Sequence, residues 1–223
     1  MVPNVAAPDS PVRLQPAAEP LVCVVDEESD YRENLCRMFH AAHLPIRVFP
    51  SPAEFLADGC HTGPCCVVMD IRLSGMDGFQ LQSALSGRAE QIVFLAGQAD
   101  VPMCARAMKA GAVDFLTKSA DKESILEAAE RALARSREIL RARQSRGLAT
   151  ARIATLTSRE FAVMHRVIAG LLNKQIAAEL GITEKTIKVH RGRVMQKTGV
   201  TSVADLVRLA LLAGIPEIQK TRQ

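Results

Sequence analysis

The sequence predicts an α/β domain with a five-stranded, parallel, doubly wound sheet, followed by an all-α domain of four helices. Two observations support this prediction. Between residues 21 and 134, short apolar runs alternate with amphipathic segments, as in a parallel sheet covered by helices on both faces. From residue 157 onward, the apolar residues recur only at helical spacing, and glycines interrupt the pattern at intervals.

The first domain contains five apolar runs that we predict to be strands. They lie at residues 21–25, 46–49, 65–69, 92–95 and 113–116. Ser51-Pro52-Ala53-Glu54 is a capping box with proline in the first turn, so it begins the helix after the second strand. The helix after the fifth strand begins near Asp121 and continues into an arginine-rich segment. We therefore expect a helical linker over residues 135–153 with a flexible end near 147–151, and a plain solvated linker is the alternative.

The second domain is predicted to contain four helices between residues 154 and 214. Thr157-Ser158-Arg159-Glu160 is a capping box for the first helix, and the other three begin at Asn173, Thr183 and Ser202. Glycines end the four helices, at positions 170, 181, 199 and 214. Proline-rich residues 1–20 are predicted to be a flexible tail, and residues 215–223 form a second tail.

Charge is distributed unevenly along the 223 residues. The net charge is +4, but residues 21–134 carry −6 and residues 135–223 carry +11, so the second domain is expected to meet a polyanion. No apolar run reaches the length of a membrane span, and no secretory signal is visible. We therefore expect a cytoplasmic protein with no membrane partner, in which the six cysteines are thiols rather than disulfides.

Acidic residues follow two strands of the predicted sheet. Asp26 and Glu27 come directly after the first strand, Asp70 after the third, and Lys118 after the fifth. Because the carboxyl ends of parallel strands meet at one edge of the sheet, these side chains are expected to lie together. Carboxylate oxygens select Mg²⁺ or Mn²⁺. A carboxylate nucleophile beside a divalent ion and an ammonium group can accept a phosphoryl group.

The first domain resembles the receiver domain of bacterial two-component response regulators of the FixJ/NarL family. The motifs that carry the resemblance are residues 24–27, 68–78, 97–103 and 107–118. The resemblance implies a flavodoxin-like receiver over residues 21–134 that a sensor histidine kinase phosphorylates. It implies Asp70 as the phosphoacceptor and Lys118 as a contact to the phosphoryl oxygens. The Mg²⁺ ligands that it implies are Asp26, Glu27, Asp70 and the backbone carbonyl of Arg72.

Several residues depart from the receiver pattern. Ala96 replaces the Thr or Ser whose hydroxyl normally moves to the phosphoryl group, and Phe115 replaces the coupled Tyr. The lost hydrogen bond is worth about 1.5–3 kcal/mol. Ser74 and Ser119 replace two prolines, so we expect a trans peptide bond before Ser119 and a displaced Lys118. The alternative function is therefore an atypical receiver whose output is constitutive or controlled by a thiol or a ligand.

The basic second domain contains a helix, a glycine turn and a basic helix, which is the helix-turn-helix arrangement. Residues 154–214 closely resemble the LuxR-type DNA-binding domain, with matches at 156–160, 173–177, 180–182 and 186–190. The resemblance implies that Lys188 and Val189 face the major groove. Flanking residues would be Lys185, Thr186 and Arg191, and phosphate contacts would be Lys174, Arg193 and Lys197.

Together these features predict a response regulator that dimerises on phosphorylation and binds promoter DNA to regulate transcription. Contact with RNA polymerase is left open. We do not expect an enzyme. A Mg²⁺-dependent phosphohydrolase is disfavoured because Arg72 occupies the position, two residues after the nucleophile, where such enzymes place an acid/base carboxylate. A metal or thiol site around Cys60, His61 and Cys65 is also disfavoured, because tetrahedral zinc requires two well-spaced pairs of ligands.

Overall fold

The computed structural model describes residues 18–59 and 61–216. They form two compact units, with the division between Leu140 and Arg141. Cys60 and most of the two predicted tails lie outside the described residues. None of the described helices combines the length and the apolar character that crossing a bilayer requires.

The first unit contains the predicted parallel sheet of five strands, in the order β2-β1-β3-β4-β5. The strands are β1 (Leu21–Val25), β2 (Ile46–Phe49), β3 (Cys65–Met69), β4 (Gln91–Ala96) and β5 (Asp114–Thr117). The connecting helices are α1 (Ser29–Ala41), α2 (Pro52–Asp58), α3 (Gly78–Ala84) and α4 (Val101–Lys109). The predicted capping box at the start of α2 is partly formed, since the Ser51 hydroxyl accepts a hydrogen bond from the amide of Glu54.

Alternate strand residues pack on opposite faces of the sheet, as the pleat requires. Cys23 and Cys65 belong to one apolar core and Cys66 to the other. Burial raises the pKa of the Cys66 thiol, and a hydrogen bond with Cys23 and burial raise the pKa of Cys65. Thiols of this kind are poor nucleophiles, so the side chains of Cys65 and Cys66 act as small apolar residues.

The last helix of the first unit, α5 (Lys122–Ala154), continues into the second unit. The flexible end expected near residues 147–151 is wrong, because these residues are helical. The sequence misled because Gly147 lowers helix propensity by about 1 kcal/mol relative to alanine. Burial of Ala149 and Ile153, four residues apart on one face, overrides that local preference, since both pack into the core of the second unit.

The second unit contains the four predicted helices after the end of α5. They are α6 (Ser158–Ile168), α7 (Asn173–Leu180), α8 (Glu184–Thr198) and α9 (Val203–Leu212). The predicted capping box of α6 is present in full, with Thr157 and Glu160 each bonded to the other's backbone. Ile176, Ile187 and Leu206 are almost completely buried, so residues of α7, α8 and α9 share one core.

Candidate functional site

Two acidic side chains meet at the carboxyl edge of the sheet because β1 and β3 are neighbours. Val25 pairs with Met69 in the parallel register, so Asp26 and Asp70 follow paired residues. The amide of Asp70 donates to the carbonyl of Val25 over 3.1 Å, which continues the ladder past the ends of the strands. Asp26 is 2% exposed and Asp70 9% exposed. The sequence-predicted pair therefore lies side by side at the rim of the first unit.

Lys118 joins this pair from the end of β5. Its Nζ atom lies 2.7 Å from Oδ2 of Asp26 and 2.9 Å from Oδ2 of Asp70. A third carboxylate, Glu28, is 2.8 Å from the same Nζ atom. Burial lowers the pKa of Lys118, but the hydrogen bonds that its ammonium group donates to the three carboxylates outweigh burial and raise that pKa. Lys118 is therefore a fixed cation beside Asp70. The prediction that Lys118 is displaced from the site is wrong.

Tyr31 of α1 covers the lysine. Its ring centroid lies 4.8 Å from Nζ of Lys118, and its hydroxyl donates to the carbonyl of Lys118 over 3.4 Å. Burial raises the pKa of Tyr31 to about 12. Tyr31 was not singled out from the sequence, because contact with a residue 87 positions away leaves no local pattern. Its neutral phenol contributes an aromatic face that favours the ammonium group.

Asp70 is held from both sides. Its Oδ1 atom accepts a hydrogen bond from the amide of Arg72 over 3.1 Å, while Oδ2 contacts Lys118. A Cβ atom at Gly78 would lie 2.6 Å from the carbonyl oxygen of Asp70, so only glycine allows α3 to begin this close to the loop. The Asp70 carboxylate is thereby presented at the edge of the sheet in a fixed orientation.

Glu28, and not the predicted Glu27, turns toward Lys118 and the two aspartates. The Glu27 carboxylate accepts hydrogen bonds from the amide and the hydroxyl of Ser74, whereas Glu28 turns toward Lys118. Glu28 is the acidic residue that sequence reasoning missed. Asp26, Glu27 and Glu28 follow β1 directly, and no periodic pattern in the sequence distinguishes which of these side chains turns toward Lys118. The only sequence signal for Glu28 was that it is an acidic residue next to the predicted ligands.

The oxygen donors at this edge suit a divalent cation. One carboxylate oxygen each of Asp26, Glu28 and Asp70 lie within 4.8 Å of one another. Hard oxygen ligands of this kind are those that Mg²⁺ and Mn²⁺ prefer. Burial raises the pKa of Asp26, which indicates that this carboxylate benefits from a further cation. Glu27 and the carbonyl of Arg72 remain predicted ligands, and Glu27 would have to leave Ser74 to become one.

Ala96, at the end of β4, has a methyl group in place of the hydroxyl that the receiver pattern has there. Ala96 is 2% exposed and belongs to the same apolar core as Phe94, and Phe115 packs against that core. The rings of Phe94 and Phe115 lie 6.1 Å apart. The peptide bond before Ser119 is trans, as predicted, since residues 18–59 and 61–216 contain no cis bond. These residues provide no side-chain hydrogen-bond donor at the end of β4.

The second unit contains the predicted helix-turn-helix in α7 and α8. Gly181 ends α7 in a left-handed conformation with φ of 66°, which glycine adopts at little cost. The Thr183 hydroxyl then accepts from the amide of Thr186 and caps α8. Ile187 and Val194 are buried, which fixes the orientation of α8 and leaves the side of the helix that carries Lys188 and Val189 exposed to solvent.

The exposed side chains of α8 include four of the eight predicted DNA contacts. Lys185, Lys188 and Arg193 are exposed, as is Lys174 on α7. Val189 is 49% exposed although it is apolar, so packing within the chain does not account for it. Four cations and one aliphatic side chain are thus available to a partner.

Three other predicted DNA contacts have partners within the unit. Thr186 shares a hydrogen bond of 2.9 Å with the Thr183 hydroxyl. Arg191 is half-buried and donates to Oδ1 of Asn173 over 2.7 Å, which ties α8 to the start of α7. Lys197 lies 2.7 Å from the buried carboxylate of Glu160. These three residues remain predicted contacts, and the structure gives Arg191 and Lys197 a role in holding the helices together.

Comparisons with known proteins agree with this division of the chain. Residues 22–130 match the family described as response regulator receiver domain, and residues 154–210 match the bacterial regulatory proteins of the luxR family. Nodulation protein W of Bradyrhizobium diazoefficiens is 39% identical over 87% of each chain. The transcriptional regulatory protein FixJ of Azorhizobium caulinodans is 38% identical over 87% of this chain and 93% of its own.

A solved structure is similar over both units. The response regulator StyR is 40% identical, with a TM-score of 0.79 over 87% of this chain and 99% of that chain. Full-length FixJ from B. japonicum is 35% identical and covers 90% of this chain, with a TM-score of 0.51.

Proposed function

The chain belongs to the two-component response regulators that join a receiver to a LuxR-type DNA-binding domain, and from this premise we propose that phosphorylation of Asp70 controls its binding to promoter DNA. A sensor histidine kinase is the proposed donor of the phosphoryl group. The phosphorylated protein then dimerises and regulates transcription. Contact with RNA polymerase is outside this proposal.

The observation that carries the proposal is the position of Lys118, whose Nζ atom lies within 2.9 Å of both Asp26 and Asp70. In phosphoryl transfer, negative charge spreads over the oxygens of the transferring group, and fixed cations beside it lower the barrier. Lys118 supplies one such cation, and its ion pairs with Asp26, Glu28 and Asp70 fix its position. Bound Mg²⁺ would supply further charge neutralisation there, with Asp26 and Asp70 among its ligands.

Within this site each residue has a separate task. Asp70 provides the nucleophilic oxygen, and the amide of Arg72 orients its carboxylate through Oδ1. Lys118 exchanges its contact with the carboxylate for contacts with the phosphoryl oxygens. Tyr31 and Glu28 hold Lys118 in place through a ring contact of 4.8 Å and an ion pair of 2.8 Å.

The DNA-binding part of the proposal relies on the exposed face of α8. Lysine reads the O6 and N7 atoms of guanine in the major groove, and the Val189 side chain can contact a thymine methyl group. Lys174 and Arg193 flank this face and are proposed to contact phosphates. A dimer would place two such helices in major grooves about one helical turn apart.

The dimer interface in the second unit is proposed to involve α9. Val203 and Leu211, eight residues apart on one face of the helix, are 39% and 56% exposed. Val207 lies between them on the same face and packs against the core. The exposed side chains of Val203 and Leu211 are apolar surface that a second copy of the helix can cover.

The test compares the full chain with Asp70→Asn, and uses Glu33→Gln, an exposed carboxylate on α1, as the control. Mass by light scattering and affinity for promoter DNA are measured with and without Mg²⁺ and acetyl phosphate. Phosphorylation of Asp70 should shift the wild type and the control toward dimer and tighten DNA binding, while Asp70→Asn stays unchanged. Equal behaviour of all three proteins, with no phosphoryl group in the intact mass, would reject phosphorylation control.

Ala96 favours a second candidate, a receiver whose output does not depend on phosphorylation. With no hydroxyl at the end of β4, the phosphoryl group loses a charge-assisted hydrogen bond worth about 1.5–3 kcal/mol. A control by thiol chemistry receives less support, because Cys23, Cys65 and Cys66 are buried in the cores of the sheet. Phosphorylated wild type with unchanged mass and DNA affinity would support this second candidate.

A further inference from the structure

We propose that the guanidinium group of Arg72 binds the phosphoryl group on Asp70 and supplies the hydrogen bonds that Ala96 cannot. This inference rests on the proposed phosphorylation of Asp70. It assigns to the Arg72 side chain a catalytic role that is separate from the backbone contacts of the same residue.

Arg72 spans the gap between the end of β3 and the end of β4. Its amide is bonded to Oδ1 of Asp70 over 3.1 Å, which fixes the start of the residue at the phosphoacceptor. Its Nη2 atom lies 4.0 Å from the point where a side chain on Gly97 would begin. Gly97 directly follows Ala96, so the guanidinium group lies beside the loop that begins at the end of β4.

The guanidinium group of Arg72 is available to an anion. The side chain is exposed, and within the described part of the chain it forms no hydrogen bond or ion pair, although Glu27 and Asp77 line the same groove of about 460 Å³. Other arginines near the site are engaged. Arg32 donates to the carbonyl of Asp26, and Arg106 lies 4.0 Å above the ring of Phe79.

The phosphoryl group adds negative charge beside Asp70, and the guanidinium group of Arg72 can neutralise part of that charge. Phosphorylation replaces the single charge of the Asp70 carboxylate with about two charges on the phosphoryl oxygens. Lys118 is already shared among Asp26, Glu28 and Asp70, and the methyl group of Ala96 contributes no donor. A guanidinium group can donate two parallel hydrogen bonds to such oxygens, a geometry that suits phosphate.

The chemical step places no proton demand on Arg72. The bond between phosphorus and a carboxylate oxygen of Asp70 forms as the bond between phosphorus and the donor breaks. The donor, a histidine nitrogen or the oxygen of an acyl phosphate, leaves with the electron pair. Arg72 stays protonated throughout and donates N–H groups to the oxygens that are transferred.

The test follows phosphorylation of the full chain by acetyl phosphate and Mg²⁺ with intact mass, and determines the rate constant at several donor concentrations. The variants are Arg72→Gln, Arg72→Lys, Ala96→Thr and the double variant Arg72→Gln/Ala96→Thr. Arg106→Gln is the matched control, since Arg106 lines the same groove and faces an aromatic ring. Circular dichroism verifies that each variant is folded.

We expect Arg72→Gln to slow phosphorylation by about ten- to a hundredfold, the range that one charge-assisted hydrogen bond covers. Arg72→Lys should retain part of the rate, and Arg106→Gln all of it. In the Ala96→Thr background, loss of Arg72 should matter much less, because the new hydroxyl takes over the contact. This dependence on residue 96 distinguishes a contact with the phosphoryl group from a general effect of charge.

Two results would overturn the inference while leaving the proposed function intact: phosphorylation of Arg72→Gln at the wild-type rate, or an equal loss from Arg72→Gln with alanine and with threonine at position 96. A wild-type chain that gains no phosphoryl group under any of these conditions would instead reject the proposed function together with the inference.

Discussion

Ser74 donates both its backbone amide and its hydroxyl to the carboxylate of Glu27, with the hydroxyl 3.1 Å from Oε2. Both oxygens of Glu27 are therefore engaged on the loop after β3. A proline at position 74 would have neither donor, so this contact is a direct consequence of the serine. If Glu27 is a metal ligand, Mg²⁺ has to compete with Ser74 for it.

We predict that weakening this contact tightens Mg²⁺ binding. Ser74→Ala removes the hydroxyl alone and should lower the Kd for Mg²⁺ by about two- to tenfold, the range of one modest hydrogen bond. Ser74→Pro removes both donors and should lower it further. The chain has one tyrosine and no tryptophan, and Tyr31 lies beside Lys118, so tyrosine fluorescence reports on the site.

The variants Glu27→Gln and Glu28→Gln identify which of the two glutamates binds Mg²⁺. If Glu27 is a ligand, Glu27→Gln should weaken Mg²⁺ binding and abolish the effect of Ser74→Pro. An unchanged Kd in Ser74→Pro, combined with weaker binding in Glu28→Gln alone, would assign the metal site to Glu28 and leave the Ser74 contact with a structural role.

The contact between Glu160 and Lys197 should make the stability of the second unit dependent on acid pH. The hydrogen bond from Lys197 and that from the amide of Thr157 lower the pKa of Glu160 to about 2. The ordinary value is 4.5, so the ionised form stabilises the folded state above that pH. This stabilisation should be lost progressively as the pH falls from 4.5 toward about 2.

Urea unfolding of the full chain between pH 7 and pH 2, followed by the helical signal, measures this loss. Glu160→Gln should be less stable at pH 7 and should flatten the acid dependence. Glu184→Gln, an exposed acid in the first turn of α8, is the control and should leave the dependence as in the wild type. The same acid dependence in Glu160→Gln would show that other carboxylates cause it.

Features that depend on local sequence pattern were predicted correctly. Features that depend on the orientation of a side chain toward a distant part of the chain were missed. The sheet, the capping box at Thr157 and the meeting of Asp26 with Asp70 follow from strand length, cap residues and the shared edge of a parallel sheet. The turn of Glu27 toward Ser74 depends on a contact 47 residues away. The ion pair that Lys197, a predicted phosphate contact, forms with the buried Glu160 joins residues 37 positions apart.

The start of the second unit provides a further prediction. Ala149 and Ile153 are 2% and 7% exposed and pack into its core, although they precede residue 154. A fragment of residues 141–223 should therefore be more stable than one of residues 154–223. Loss of a buried isoleucine side chain typically costs about 2–5 kcal/mol.

Thermal unfolding of the two fragments, and of the 141–223 fragment with Ile153→Ala, measures this contribution. Leu148→Ala is the control, since Leu148 is 42% exposed and should contribute little. Equal melting temperatures for the two fragments would mean that α6 to α9 complete their core without the end of α5.

Substitution of Gly192 is expected to affect protein stability and DNA binding in opposite directions. It lies in the middle of α8 on the exposed face, and a Cβ atom there would meet nothing within 4 Å. Nothing within the described part of the second unit requires a glycine at this position, and glycine costs about 1 kcal/mol relative to alanine inside a helix. Gly192→Ala should therefore raise the free energy of unfolding by about 1 kcal/mol. If the face of α8 that carries Lys188 and Val189 enters the major groove, the added methyl group meets the DNA and weakens binding.

Gly147→Ala is the matched control, because Gly147 is also exposed in a helix with open space around its Cβ position. Both variants should be stabilised, but only Gly192→Ala should bind promoter DNA more weakly. Salt titration of DNA binding distinguishes the cause: the slope of affinity against salt concentration should stay as in the wild type, since no phosphate contact is removed. Undiminished DNA affinity in Gly192→Ala would place the DNA against another face of the domain, because a close approach along this side of α8 leaves no space for the methyl group.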